Sequence, residues 1–341
     1  MLHILNGDSS ANILKQSTIS GERLPWREAL MAGPRPAGLS HDQWLEVRAQ
    51  HLAEAYERAA QDCRKDLSGQ YERLQTFAGH EEVVLWFEHD LFCQINLLYL
   101  LNWFSQKDLS KTKLNLICIG AFPGKENFRG LGELTPAQME SLFDQRHEVS
   151  SAEKKLAAEA WAAYCSPTPQ ALAHFLEKDT SALPFVHAAL SKHLERFPSV
   201  RNGLGCIENK ALELIAAGAN EFMSLFPAFG AAEPIYGLGD FQFWNDLKRL
   251  AKARQPLLTA EADDGLDHAL ANGNYLKTSF KITEKGKAVL AGQDDFVKSN
   301  GIDLWLGGVH LSNEKTVWRW DEQNRRIVRG EELPVMNVKQ A

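Results

Sequence analysis

Apolar and polar positions fall into blocks along this chain, and the clearest block spans Val83 to Phe104. Val83 to Phe87 is an unbroken apolar, β-favouring run of the kind that forms a fully buried strand. Glu88, His89 and Asp90 interrupt it, and apolar positions resume at Leu91, Ile95, Leu98 and Trp103, which is helical spacing. Shorter blocks flank it. Leu2 to Leu5 predicts a strand, and beyond Asn6-Gly7-Asp8-Ser9-Ser10 a helix over Ala11 to Gln16, with Ser9 or Ser10 as its cap. Gly21 to Trp26 predicts a second strand, leading into Arg27-Glu28 and a turn at Gly33-Pro34. Ser40-His41-Asp42-Gln43 fits a capping box that opens a long amphipathic helix through about Arg64. Leu114 to Ile119 is a fourth strand candidate. Thr135-Pro136-Ala137-Gln138 then supplies cap, first-turn proline and capping-box glutamine for another helix.

Strand and helix alternate through residues 1–145, which predicts an α/β fold with a doubly wound, Rossmann-like parallel sheet. Residues 146–200 read as a helical connector, with a capping box at Ser150 and Glu153 and a new cap at Thr168 after Ser166-Pro167. Within residues 201–292, helices are predicted over Cys206 to Ala217, Asn220 to Phe226, and Phe241 to Ala253 with Asp240 as cap. Leu257 to Ala260, a polar loop over Asp263 to Asn274, a strand over Tyr275 to Ile282 and a helix over Thr283 to Leu290 follow. Three helices before a two-stranded ribbon is the order of a winged-helix-like α+β domain. Residues 293–341 form a tail with a hairpin, Thr316 to Trp320 and Arg326 to Val328.

Composition narrows the function classes. An apolar fraction of 44% and a charged fraction of 24% are ordinary globular values. A net charge of −7 supplies no global field toward nucleic acid or anionic membrane. The five cysteines are scattered and form no CxxC pair, the pattern of core thiols in a reducing cytoplasm. MLHILNGDSS turns polar after five residues with no basic start, so no signal peptide is expected, and no apolar run approaches membrane-spanning length. The expectation is a cytoplasmic protein with no membrane partner.

Right-handed crossovers place every strand-to-helix loop of a parallel sheet at its carboxyl edge. The polar residues gather in those loops, so Asn6, Asp8, Ser9, Arg27, Glu28, Glu88, His89 and Asp90 are the expected ligand-binding set. Asp8, Ser9, Glu88 and His89 are the candidates for direct chemistry. Adjacent strand residues point in opposite directions, so the Glu88-His89-Asp90 triplet cannot all face one pocket, and Asp90 fits a helix cap. Arg27 and Glu28 fit an anion and a hydroxyl contact respectively, or a cross-loop salt bridge. No GxGxxG follows the first strand and no GxxxxGK[ST] occurs, so no standard dinucleotide or P-loop cofactor is implied and none is named. Glu88, His89 and Asp90 are residue types that could ligate a hard cation or supply an acid/base pair, and no metal set is assigned. Gly130-Leu131-Gly132 and Gly237-Leu238-Gly239 read as turn glycines. Trp305, Trp318 and Trp320 read either as a stacking platform or as packing.

Three motifs carry a family likeness: His3-x-x-Asn6-Gly7-Asp8-Ser9, Trp26-Arg27-Glu28-Ala29-Leu30 with Gly33-Pro34, and Leu85-Trp86-Phe87-Glu88-His89-Asp90-Leu91. Through them the first 145 residues resemble the bacterial family called domain of unknown function 1835. The remainder resembles its usual companion domain, through Asp179-Thr180-Ser181-Ala182-Leu183-Pro184 and Asn300-Gly301-Ile302-Asp303. The resemblance implies no catalytic residues.

Three functions fit these features. The first is binding or modification of a small anionic, nucleotide-like ligand at the carboxyl edge. The second is a ligand-sensing regulator whose winged helix contacts DNA. It is less favoured because the helix from Phe241 opens with aromatics around a single Gln242, followed by Lys248, Arg249, Lys252 and Arg254. The third is a GDS-type serine hydrolase with Ser9 as nucleophile. Its late Asp-x-x-His block is missing, since Asp264 and His268, like Asp303 and His310, have the wrong spacing.

Overall fold

The computed structural model describes residues 1–109, 111–262, 265–270, 272–313 and 317–330. Its centre is a five-stranded sheet. The first strands and helices are β1 (Leu2–Leu5), α1 (Asp8–Lys15), β2 (Glu22–Pro25), α2 (His41–Tyr56), α3 (Ala60–Gln75), β3 (Glu82–Glu88) and α4 (Leu91–Ser105). They continue as β4 (Lys113–Ile119), α5 (Pro136–Phe143) and β5 (His147–Glu148). The strand order is β2-β1-β3-β4-β5. The first four are parallel, and two-residue β5 is antiparallel to β4.

β3 is the axis of this sheet because its apolar run feeds both faces. Val83, Leu85 and Phe87 join a core with residues of α2, α3 and α4, while Val84 and Trp86 join a second core with residues of α1 and α5. All five are fully buried, each contributing on the order of 1.5–3 kcal/mol of apolar transfer. Trp86 also donates its indole N–H to His3 Nδ1 at 3.2 Å, and His3 Nε2 bonds the Ser20 carbonyl at 3.1 Å. Burial lowers the His3 pKa to about 4, so a neutral ring with Nε2–H satisfies both contacts. His3 of the first motif is therefore a core residue.

Helices α6 (Ser151–Tyr164), α7 (Pro169–Phe175) and α8 (Val186–Leu194) follow, and α6 and α8 both pack on α4. Beyond them lie α9 (Cys206–Ala216), α10 (Phe222–Ala232), α11 (Asp240–Ala251), β6 (Leu258–Glu261), β7 (Ser279–Ile282), α12 (Glu284–Leu290) and α13 (Phe296–Asn300). Two hairpins close the described chain, β8 (Asp303–Leu306) with β9 (Val309–Ser312), and β10 (Trp318–Asp321) with β11 (Arg326–Arg329). No helix among the described residues is long and apolar enough to cross a membrane.

Several expectations need correction. The helix expected from Ser40 to Arg64 is two helices, because Glu57 takes a left-handed conformation (φ 51°) and turns the chain. α1 starts at Asp8, so Ser9 and Ser10 lie inside its first turn, and Gly7 stands at the cap with no side-chain bond. Asp240 is likewise the first residue of α11; its carboxylate accepts from the Tyr275 hydroxyl at 2.7 Å. α10 runs on to Ala232 through Pro227. The strand expected from Tyr275 begins only at Ser279, after a 3₁₀ turn over Asn274–Lys277. Asp263, Asp264 and Thr316 lie outside the described residues.

Candidate functional site

The carboxyl edge of β3 turns directly into α4, and Asp90 makes the turn. Its Oδ1 accepts from Cys93 N at 2.8 Å, as an N-cap should, and Gln94 Nε2 reaches back to the Glu88 carbonyl at 2.6 Å. This fold-back brings Cys93 beside Glu88. The thiol donates to Glu88 Oε2 at 2.5 Å, Asn6 from the end of β1 donates to Cys93 Sγ at 2.6 Å and Glu88 Oε2 at 3.4 Å, and Leu131 N donates to Glu88 Oε1 at 2.5 Å. Glu88, Asp90 and Cys93 are all buried.

Two glycines make that burial achievable. A Cβ on Gly130 (φ 156°) would stand 2.9 Å from Glu88 Oε1, and one on Gly237 (φ 58°) would collide with the Asp90 carboxylate. They read as turn glycines in the sequence, yet each lets a loop cover a carboxylate.

Among the described residues no lysine or arginine pairs with Glu88 or Asp90, whose partners are the groups just named. Burial raises the Glu88 pKa to about 7, with the Asp90 charge adding to it and the bonds from Cys93, Leu131 and Asn6 opposing it. Burial also raises Asp90, and it pushes the Cys93 thiol well up. Ligand atoms of Glu88, Asp90 and Cys93 lie within 4.8 Å of one another, so they are the set that could hold a metal ion. As arranged, Asn6 donates to Glu88 Oε2 and Cys93 Sγ, and the Cys93 N–H donates to Asp90 Oδ1.

The other expected residues divide. Asp8 and Arg27 meet as a bidentate pair, Nε to Oδ2 at 2.8 Å and Nη2 to Oδ1 at 2.7 Å, with both side chains more than half exposed. Ser9 is exposed, and its hydroxyl donates to the Gly132 carbonyl at 3.5 Å. No hydrogen bond joins Ser9 to a histidine among the described residues, which leaves the serine-hydrolase arrangement without its base. Glu28 cannot touch a ligand. It is fully buried, and Arg48 donates to its Oε1 at 2.5 and 3.1 Å, so the salt-bridge reading holds and the binding reading fails. His89 turns to the opposite side of Glu88, against Gly120 and the Phe185 ring (6.1 Å between centroids).

Sequence reasoning missed Cys93, taken only for a small core hydrophobe. The available signal was its place three residues after a cap Asp, where the first helical turn faces back to the strand end.

The helix compared with a DNA reader, α11, is engaged within the chain. Gln242 Nε2 bonds Tyr56 Oη at 3.4 Å, Asn245 bonds the Ala55 carbonyl at 2.8 Å and Lys248 bonds Glu57 at 2.8 Å. Arg249 pairs with Glu208, Lys252 with Asp267, and Arg254 donates to the Ser299 carbonyl. Phe243 and Trp244 are fully buried. No protein-family model matches this chain, and no curated protein matches it.

Proposed function

We propose that the carboxyl edge between β1 and β3 binds a small anionic ligand of nucleotide-like phosphate chemistry. The observation that carries this is the strand order. β1 leads to β2 on one side, and the next strand is added on the other, so the loops after β1 and β3 diverge at a switch point. Ligands of open α/β sheets bind at such points. On this reading the sheet is doubly wound and Rossmann-like, and kinship with domain of unknown function 1835 is proposed on the three motifs quoted above.

The anion contacts are Arg27 and the start of α1, which no side chain caps, so its first-turn N–H groups and helix dipole favour negative charge. Burial keeps Glu88 and Asp90 above the ordinary carboxylate range, so the acidic cluster behind them repels an anion less than its count of carboxyls suggests. A Glu88 titrating near neutral pH also suits proton transfer, should the site modify its ligand. The segment α9 to β7 is proposed as a winged-helix-like accessory. The regulator alternative gains no support from α11, whose basic side chains are taken by intramolecular partners. Five free thiols fit a reducing cytoplasm.

Asp8 is the internal competitor for Arg27, and that gives the test a sign. In calorimetric titration with ADP and with inorganic phosphate, Arg27→Ala is expected to weaken binding about tenfold or more, the scale of one lost charge-assisted contact. Asp8→Asn, which releases Arg27, is expected to tighten it. No binding to the wild-type protein, or equal binding by all three proteins, refutes the assignment.

A further inference from the structure

A cavity of about 480 Å³ shares no residue with the sheet-edge site, and its volume lies in the range of small-molecule pockets. Its walls include Pro36, Pro167 of the α6–α7 turn, Trp305 and His310 of the β8–β9 hairpin, and Trp318 and Arg329 of the β10–β11 hairpin. We propose that this cavity binds a flat heteroaromatic ring of the purine type, stacked against Trp305 and Trp318.

Three observations support it. First, both indoles are held by a partner and still line the cavity. Trp305 stacks on the His310 ring with 4.5 Å between centroids and 3° between planes, and His310 Nε2 is fixed by Asp303 at 2.7 Å. Trp318 lies under the Arg329 guanidinium, 5.0 Å from its centroid. Rings fixed in this way lose little rotamer freedom when a ligand arrives.

Second, the walls are tied to the fold by backbone bonds. Gly307 O accepts from Arg35 N at 3.0 Å, and Gly308 N donates to Tyr164 O at 2.9 Å, which pins the tip of the β8–β9 hairpin. Trp320 N to Pro198 O and Val200 N to Trp320 O, each 2.9 Å, pin β10. Third, the three tryptophans that the sequence groups together divide by burial. Trp320 is buried in the core, whereas Trp305 and Trp318 remain partly exposed. Packing in the core accounts for Trp320 and for part of Trp318, which leans on that core while still lining the cavity. Two half-exposed indoles around a void of this size present the sequence-tolerant stacking surface that bases use.

The inference is independent of the sheet-edge reading, and adenosine, which carries no phosphate, separates the two. The full chain labelled with 5-fluorotryptophan gives nine ¹⁹F positions to follow during titration with adenosine and guanosine. Saturable shifts confined to Trp305 and Trp318, weakened about fivefold or more by Trp318→Ala and unchanged by Arg27→Ala, are the expected result. Trp318→Phe, which keeps a ring, is expected to retain most of the affinity and guards against an unfolded alanine variant. Absence of saturable shifts with either nucleoside, shifts centred on Trp26 or Trp86, or binding indifferent to both Trp318 variants overturns the proposal.

Discussion

Glu28 follows β2 and Glu88 ends β3 on the carboxyl side of the same sheet, and both carboxyl groups are closed off from solvent. Their proton affinities move in opposite directions. Burial pushes Glu28 up, but the charges of Arg48 and Arg35 outweigh it and hold the group below its ordinary range. Burial pushes Glu88 up to about 7, with Asp90 adding repulsion and only hydrogen bonds opposing. The difference lies in which charges were buried alongside. Around Glu28 two guanidiniums are fully buried with one carboxylate, and their Nη groups also donate to carbonyls. Arg35 and Arg48 both bond those of Ala29 and Ala32. Around Glu88 two carboxyls are buried with no lysine or arginine paired to them among the described residues. The first cluster builds the fold, and the second holds a proton near neutral pH, which is the property a site uses.

The largest expected effect comes from removing the cation from the first cluster. Arg48→Met leaves Glu28 buried without its bonding partner and is expected to destabilise the protein by about 3–5 kcal/mol in chemical denaturation at pH 7. Adding Glu28→Gln should return a good part of that loss. A cost below about 1 kcal/mol for Arg48→Met alone would mean that the Glu28 charge is not held by Arg48, and the contrast with Glu88 would collapse.

The next effect is smaller and depends on pH. Glu88 has an ordinary value of 4.5 and a folded value of about 7. A raised folded pKa means that the native state binds the extra proton. That contribution is fully present below about 4.5 and is lost as pH rises through about 7. At 1.36 kcal/mol per unit the span is about 3 kcal/mol. The protonated carboxyl also has a ready acceptor, because Asn6 Oδ1 is buried without a partner and a turn of the amide would present it. In Glu88→Gln this pH-dependent loss should vanish, so the stability difference between variant and wild type should drift in the variant's favour from pH 4.5 to 7 and then level off. Asp246, also raised to about 7 by burial, titrates in both proteins and cancels in the difference. For Glu28 the sign reverses, with stability present above its ordinary value and lost as acid protonates the group. A pH-independent difference between Glu88→Gln and wild type would sink the assignment.

What the sequence reveals of these two clusters follows from how local their causes are. The strands at Val83 and Leu114, the cap at Asp90 and the capping boxes at Ser40, Thr135 and Ser150 depend on residues a few positions apart, and all are legible. The break at Glu57 has no glycine or proline to announce it. Two-residue β5 is too short to carry a periodic signal. The two glutamates look alike in the sequence because their environments come from elsewhere. Arg48 arrives from α2, Asn6 from β1, and the lids over Glu88 and Asp90 from Gly130 and Gly237. Topology alone brought Asn6, Asp8, Arg27 and Glu88 to one edge of the sheet. At the level of side chains the set divides, because Asp8 and Arg27 pair with each other while His89 lies against Gly120 and the Phe185 ring.

The smallest expected effect on stability falls where the largest effect on binding is proposed. Asp8 and Arg27 form a bidentate pair of good geometry, and the Arg27 hydrogen bond holds the Asp8 carboxyl below its ordinary range. Their side chains are 55% and 64% exposed, so water screens most of that attraction and the folded state gains little from it. A double-mutant cycle of Asp8→Asn and Arg27→Ala should give a coupling of about 0.2–1 kcal/mol, shrinking further as salt is raised. Glu28 and Arg48, fully buried in the same region, should couple far more strongly and respond weakly to salt. If Asp8 and Arg27 instead couple by more than about 2 kcal/mol, the pair is a structural clamp like Glu28–Arg48. Arg27 would then be too firmly held to exchange Asp8 for an incoming phosphate. Weak coupling together with a large loss of ADP affinity in Arg27→Ala is the combination that separates the exposed pair, poised for a ligand, from the buried one.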